Sequence, residues 1–259
     1  MTAIHMTLQH KGGAGKTTVT YLLAQYLKEQ GQKPVCIDAD PFNSSLALYK
    51  GLEAAVFPLK DDDSQVDEDK VADLIEHLLA EKKTFVVDNG AGSFSQVCNL
   101  LVKSGVDEVL LQSKRDLFVH VVINGGPDMP ITFAGLDALA KQLPEPIKIV
   151  VWVNEFFGPV QAEGKAFEQM KIYSQLKNRV SGLVRIPQYK SYFKKNFETM
   201  LLNRLTFKEA INGTLFRTLE KQRLVMMERE LYEQLDAIFQ ADLSQDTREI
   251  NKDKVLTTV

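Results

Sequence analysis

The run Gln9-His10-Lys11-Gly12-Gly13-Ala14-Gly15-Lys16-Thr17-Thr18 has the composition of a loop that holds phosphate. Glycines let successive backbone N–H groups turn toward anionic oxygens, and a helix opening at the end of the loop adds partial positive charge. In such a loop Lys16 is placed to reach the β- and γ-phosphates of a nucleotide, and the Thr17 hydroxyl to ligate Mg²⁺. Gly12, Gly13, Ala14, Gly15 and Thr18 complete the binding set. The run departs from the commonest eight-residue pattern at its first glycine, where His10 stands, but Gly15-Lys16-Thr17 is intact. A glycine-rich turn between strand and helix arises easily by chance. A Gly-Lys-Thr directly after an apolar strand is far more specific, so nucleotide binding is the expectation.

Three carboxylates and an amide join this loop as candidates. Thr84–Asp88 is an apolar run ending in Asp88, and a carboxylate just above a buried strand is costly unless solvated, paired or near a cation, so Mg²⁺ linkage is expected. Asp38-Ala39-Asp40-Pro41 ends another apolar run, at the edge where α/β ligand sites form. These two residues read either as ligand-site carboxylates or as caps of the next helix, expected to start at Asn43 and Ser44. Asn154 ends the apolar run from Ile149 and is, by itself, as easily a turn residue. Lys11 alone is equally readable as an exposed loop lysine. No Asn-Lys-x-Asp guanine signature is present, which favours ATP over GTP.

Elements able to position these residues alternate along the chain. Apolar runs predict strands over Ala3–Gln9, Pro34–Asp38, Thr84–Asp88, Val106–Gln112, Ile147–Asn154 and Val180–Ile186. Helices are expected over Lys16–Glu29, Glu68–Ala80, Ser95–Lys103, Phe133–Gln142 and Gly164–Asn178. The alternation argues for one doubly wound α/β domain with a mainly parallel sheet, over residues 1–240. After Pro187 the chain turns mainly helical. There Leu215, Leu219, Met226, Leu231, Leu235 and Ile238 form a stripe that reads as core packing, or as a partner or membrane face. Lys60–Lys70, with six acidic residues, is expected to be a solvated connection, and the polar 241–259 segment a frayed or disordered tail.

With 259 residues, 44% of them hydrophobic and 25% charged, the composition is that of a soluble globular protein. No uninterrupted apolar stretch of membrane-spanning length and no signal-peptide pattern occurs, so membrane association is not expected. Two cysteines, Cys36 and Cys98, exclude a disulfide framework and a four-cysteine zinc site, and suit the cytoplasm. The net charge of -3 hides an asymmetry: Lys165 to Arg229 carries 14 basic and 5 acidic residues, either as solvated helix faces or as a surface for nucleic acid or an acidic partner.

Lys11-Gly12-Gly13-Ala14-Gly15-Lys16-Thr17 resembles the deviant Walker A loop of the ParA/MinD family of ATPases, P-loop NTPases of the SIMIBI group. The resemblance implies an ATP- and Mg²⁺-dependent homodimer in which Lys11 reaches the phosphates held by the other subunit, stabilising charge as an arginine finger does. It implies that Lys11, Lys16 and Asp40 are catalytic, with Asp40 orienting the attacking water. It further implies that Thr17, Asp38 and Asp88 lie at the metal, that Gly92 offers its N–H to the γ-phosphate, and that Asn154 and the segment at Pro187 flank the adenine. One departure stands out: Gly90 occupies a second-switch position where proline is common, and a more flexible loop is expected. A narrower resemblance, carried by Met6–Gln9, Cys36–Pro41, Val87–Ala91, Gly164–Met170 and Arg204–Phe207 with the later Gln222–Leu224, is to the TraL-type conjugal-transfer branch. It implies a role in plasmid transfer or positioning, with plasmid DNA or a conjugation or partition protein as partner of the basic block. The competing readings are an ATP-regulated DNA-binding partition protein and a small-molecule kinase or ligase. A cluster-bridging reductase is the least favoured, given where the two cysteines fall.

Overall fold

The computed structural model describes residues 2–256, with side chains as far as Phe239. Its centre is a seven-stranded, wholly parallel sheet. The strands are β1 (Ala3–Thr7), β2 (Val35–Ala39), β3 (Ala55–Val56), β4 (Phe85–Asn89), β5 (Asp116–Asn124), β6 (Ile147–Asn154) and, after a small hairpin β7 (Gln161–Ala162) and β8 (Lys165–Ala166), β9 (Val180–Ile186). Their order is β3-β2-β4-β1-β5-β6-β9. Chain order therefore reverses direction on either side of β1, and open α/β sheets bind ligands beyond the carboxyl end of a strand at such a point.

The sheet is covered on both faces, which is why its strands are apolar rather than alternating. One face packs Ile4, Met6, Val87, Val119, Val121 and Ile149 against α2 (Glu68–Ala80), α3 (Phe94–Lys103), α4 (Val106–Ser113) and α5 (Met129–Gln142). The other packs Val86, Val122, Val150 and Trp152 against α1 (Lys16–Glu29) and the C-terminal helices. In α1, Val19, Leu22, Leu23, Tyr26 and Leu27 are buried, and truncating one of its leucines to alanine removes about 2–5 kcal/mol.

Two elements differ from expectation. Val106–Gln112 is not a strand: Gly105, in the left-handed conformation at φ 68°, starts helix α4 there, with Asp107 and Glu108 favourably in its first turn. Val106 and Leu110 supply a buried edge four residues apart, while Leu111 is 65% exposed. The strand that fills the sheet is β5, which was not expected; the apolar residues just before it masked its start. Arg115 marks the junction by donating to the carbonyls of Leu78, Leu79 and Lys83. Nor is Gly164–Asn178 one helix. Glu163 and Gly164 both take positive φ, the geometry of a two-residue hairpin turn, and only α6 (Lys171–Leu176) is α-helical.

α7 (Ser191–Leu202), α8 (Phe207–Asn212) and α9 (Thr218–Leu256) close the second face. The α8 start is fixed by a reciprocal box in which Thr206 and Glu209 satisfy each other's backbone N–H. The expected α9 stripe is shifted: Leu224, Met227, Leu231 and Leu235 are buried, whereas Leu215, Leu219 and Met226 are largely exposed. The domain boundary expected near residue 240 falls inside α9, whose backbone continues to Leu256. Among the described residues no helix is long and apolar enough to cross a membrane.

Within this second core, His5 and His120 are fully buried neighbours. The Trp152 indole N–H donates to His120 Nδ1 (2.9 Å), so the neutral ring carries its proton on Nε2, 3.1 Å from His5 Nδ1. Burial pushes His5 down to about 3, and burial together with its neighbour pushes His120 well below the ordinary histidine range.

Candidate functional site

The loop after β1 runs from Leu8 into α1. Gly13 (φ 75°) and Gly15 (φ 99°) take the left-handed conformation that only glycine adopts without strain, and this turns the loop around the helix start. Gly15 is the N-cap, and no side chain caps the helix, so its first N–H groups remain available to an anion. Gln9, whose role has no signal in the residue pattern, braces the start of the loop from below: its Nε2 donates to the carbonyls of Val122 (2.8 Å) and Thr132 (3.2 Å). Asn154 braces it from the side. Its Nδ2 donates to Ala14 O (3.3 Å) and its Oδ1 accepts from Phe156 N–H (3.2 Å).

Lys16 is buried at 7% exposure, with Nζ 3.2 Å from the Lys11 carbonyl. Burial lowers its pKa; Asp88 and Asp40 work against that, and Lys11 adds to it. Beneath it, parallel pairing sets Asp88 of β4 directly opposite Asp38 of β2 and Thr7 of β1. Burial lifts the Asp88 carboxyl to about 7; hydrogen bonds from Thr17 and Thr20 and the charge of Lys16 act the other way, and Asp38 adds to the rise. Thr20 Oγ1 lies 3.1 Å from Asp88 Oδ1 and 2.7 Å from Thr7 Oγ1. Asp38 is held by the N–H groups of Asp40 (3.2 Å) and Ala47 (2.9 Å), and burial raises its pKa against those bonds. The helix expected from Asn43 and Ser44 is only a 3₁₀ turn at Leu46–Leu48.

Asp88 Oδ2 is buried and has no hydrogen-bond partner in the protein. An unpaired carboxylate oxygen beside the Thr17 hydroxyl, with Asp38 opposite, is a hard oxygen donor set of the kind that suits Mg²⁺. Among the described residues no three His, Cys, Asp or Glu side chains cluster as an all-protein metal site.

Over the loop lies a cavity of about 420 Å³. Its lining combines the loop residues Gly12, Gly13, Gly15, Lys16, Thr17 and Thr18 with Asp40, Asn43, Ser45, Ala91, Gly92 and Asn154, and with the apolar Phe156, Phe157, Ile186, Phe197 and Leu201. The structure thus brings Gly12 to Thr18, Asp40, Gly92 and Asn154 together around one space, with Asp38 and Asp88 below it. Pro187 does not line it; its neighbour Ile186 does. Phe156 and Phe157, in the loop after β6, and Phe197, in α7, escaped sequence reading because they lie about 40 residues apart and carry no spacing signal.

Lys11 Nζ pairs with Asp128 Oδ1 at 3.6 Å, across the mouth of the loop at the N-cap of α5. The basic block is partly consumed internally. Arg179 donates to four carbonyls around residues 140–145, Arg185 pairs with Glu155 and Glu168, and Arg204 and Arg223 sit over Tyr49 and Tyr192. Lys190, Lys195, Lys208 and Arg217 are exposed.

A phosphate loop on β1 of a parallel sheet, with carboxylates ending two neighbouring strands, defines a P-loop nucleotide-binding protein. Residues 5–202 match the CobQ/CobB/MinD/ParA nucleotide binding domain, and the chain belongs to that family. Protein TraL of Escherichia coli is 38% identical over 238 residues, 92% of this chain and 98% of that protein. A second Escherichia coli Protein TraL is 37% identical over 237 residues, 91% of this chain and 98% of its own length. The septum site-determining protein MinD of Pyrococcus horikoshii, solved with Mg-ADP, shares the fold at TM-score 0.54 and 18% identity, covering 89% of this chain and 96% of that one.

Proposed function

We propose that this chain is an ATPase switch: ATP binding pairs two copies, and hydrolysis of the γ-phosphate releases them. The observation that carries this reading is the braced Gly15-Lys16-Thr17 turn with its buried Lys16, seated over an Asp88 oxygen that has no partner. The uncapped N–H groups of α1 and Lys16 receive the phosphates, and the apolar lining residues Phe156, Phe157, Ile186 and Phe197 receive the base. Thr17 and Asp88, with Asp38 behind, would hold Mg²⁺, which when bound neutralises charge on the β- and γ-phosphates. Asp40 orients the water that attacks the γ-phosphorus; ADP leaves with the bridging oxygen, and water supplies the new oxygen of inorganic phosphate. Lys11 leaves Asp128 and completes the site of the second copy, so that catalysis depends on pairing.

The likeness to the TraL proteins supports a role for the switch in plasmid conjugal transfer or plasmid positioning, in the cytoplasm. The exposed lysines and Arg217 of the 165–229 block supply a surface for plasmid DNA or an acidic conjugation or partition protein. The test is ATP turnover and light-scattering mass with ATP or ADP, each with and without plasmid DNA, alongside Lys16→Ala. Slow turnover and an ATP-specific dimer, both lost in Lys16→Ala, are expected; unchanged turnover in that variant would end the assignment.

A further inference from the structure

Gly90 and Gly92 do not need to be glycine for backbone reasons. Gly90 has φ -66° and ψ 157°, and neither residue takes a positive φ. What a side chain there would meet is a neighbouring side chain, which it would have to displace. A Cβ on Gly90 would lie 2.5 Å from Asp40 Oδ1, and one on Gly92 would lie 2.3 Å from Cε2 of the Phe42 ring. Two side chains two residues apart on one turn therefore rest directly on two backbone positions, also two residues apart, of another. The proline-to-glycine departure at position 90 is explained by this approach: any larger residue there would push Asp40 away.

The turn that carries Asp40 is internally tied. Asp40 Oδ1 accepts from the N–H groups of Phe42 (2.9 Å) and Asn43 (3.0 Å), so carboxylate and ring are set by the same short loop. Lys60 Nζ sits 4.3 Å from the Phe42 ring centroid. Lys60 opens the acidic connection and is itself bridged to Val66. A ring that is 54% exposed gains little from burial, so its value lies in what it holds. Asp40, Asn43, Ala91 and Gly92 all line the cavity over the phosphate loop.

We propose that Phe42 is a positioning residue: its ring, seated on Gly92 and overlaid by Lys60, clamps the turn bearing Asp40 to the turn bearing Gly92, so that carboxylate and backbone N–H move as one body. This deepens the ATPase reading and rests on it. The acidic connection, through Lys60, then has a mechanical link to the reacting end of the site.

Suppression tests the clamp. Gly92→Ala drives a methyl group into the ring and is expected to cut ATP turnover by roughly 10- to 100-fold with ADP affinity little changed. Phe42→Ala is expected to do the same, and Phe42→Leu to restore part of the loss. In the double variant the methyl group meets no ring, so its turnover should be no lower than that of Phe42→Ala alone. Hydrogen exchange on the nucleotide-free protein supplies a readout independent of catalysis: in Phe42→Ala, residues 40–47 and 90–93 should gain exchange together. Multiplying losses in the double variant, or a gain confined to one turn, would overturn the clamp. A wild-type protein that neither binds nor hydrolyses ATP defeats the ATPase reading instead, and the exchange measurement then decides the clamp by itself.

Discussion

The ammonium of Lys11 lies 3.6 Å from the Asp128 carboxylate of its own chain. In the proposed paired state that ammonium serves a neighbour's phosphates, so the internal ion pair competes with pairing. Both side chains are about a third or more exposed, and such a pair contributes only about 0–1 kcal/mol, screened by salt. Asp128→Asn should therefore promote ATP-dependent pairing by a few-fold, up to about fivefold, with the effect shrinking at high salt. Analytical ultracentrifugation across a salt series measures this; weaker pairing in the variant would contradict it.

Thr17 and Asp88 make separate predictions about metal. Thr17→Ala removes a hydroxyl from the oxygen donor set and from Asp88, and should weaken the dependence of nucleotide affinity on Mg²⁺. Titrating ADP with Mg²⁺ or with EDTA should show a large metal effect in the wild type and a small one in the variant. An equal metal effect in both proteins would move the metal elsewhere.

Gly15→Ala should lose nucleotide binding with only modest loss of fold. At φ 99° an L-residue is strained by roughly 1–2 kcal/mol, and the new Cβ would sit 3.0 Å from Asn154 Nδ2. Calorimetric ADP binding combined with urea unfolding separates the two effects. Retained affinity would show that the left-handed turn is dispensable.

Acid should unfold this protein through His5 and His120. Both have folded pKa values below the unfolded value of about 6.5, so their contribution is fully present above that pH and is lost as pH falls toward about 3. The loss is about 1.4 kcal/mol per pH unit for each imidazole that charges only on unfolding. Urea midpoints should fall steeply between pH 6.5 and 5 in the wild type, and less steeply in a His5→Gln/His120→Gln variant. Parallel slopes would refute the linkage.

What the sequence determined by itself was local. Gly15-Lys16-Thr17 announces a phosphate site because its chemistry lies within one loop, and Lys16–Glu29, Glu68–Ala80 and Val180–Ile186 were legible because their patterns are short-range. β5 and α4 were misread because the seven residues Val106–Gln112, four of them apolar, suit a buried strand or a helix edge equally well, and only the place left vacant in the sheet decides between them. The meeting of Asp88 with Asp38 and Thr7 is a matter of parallel register between strands distant in sequence. Likewise, the close approach at Gly90 and Gly92 is made by Asp40 and Phe42 about 50 residues earlier, and the aromatic lining of the cavity comes from two separate segments, the loop after β6 and α7. Spacing along a chain records contacts made within a turn or two; those made across the sheet depend on packing, which tertiary structure alone decides.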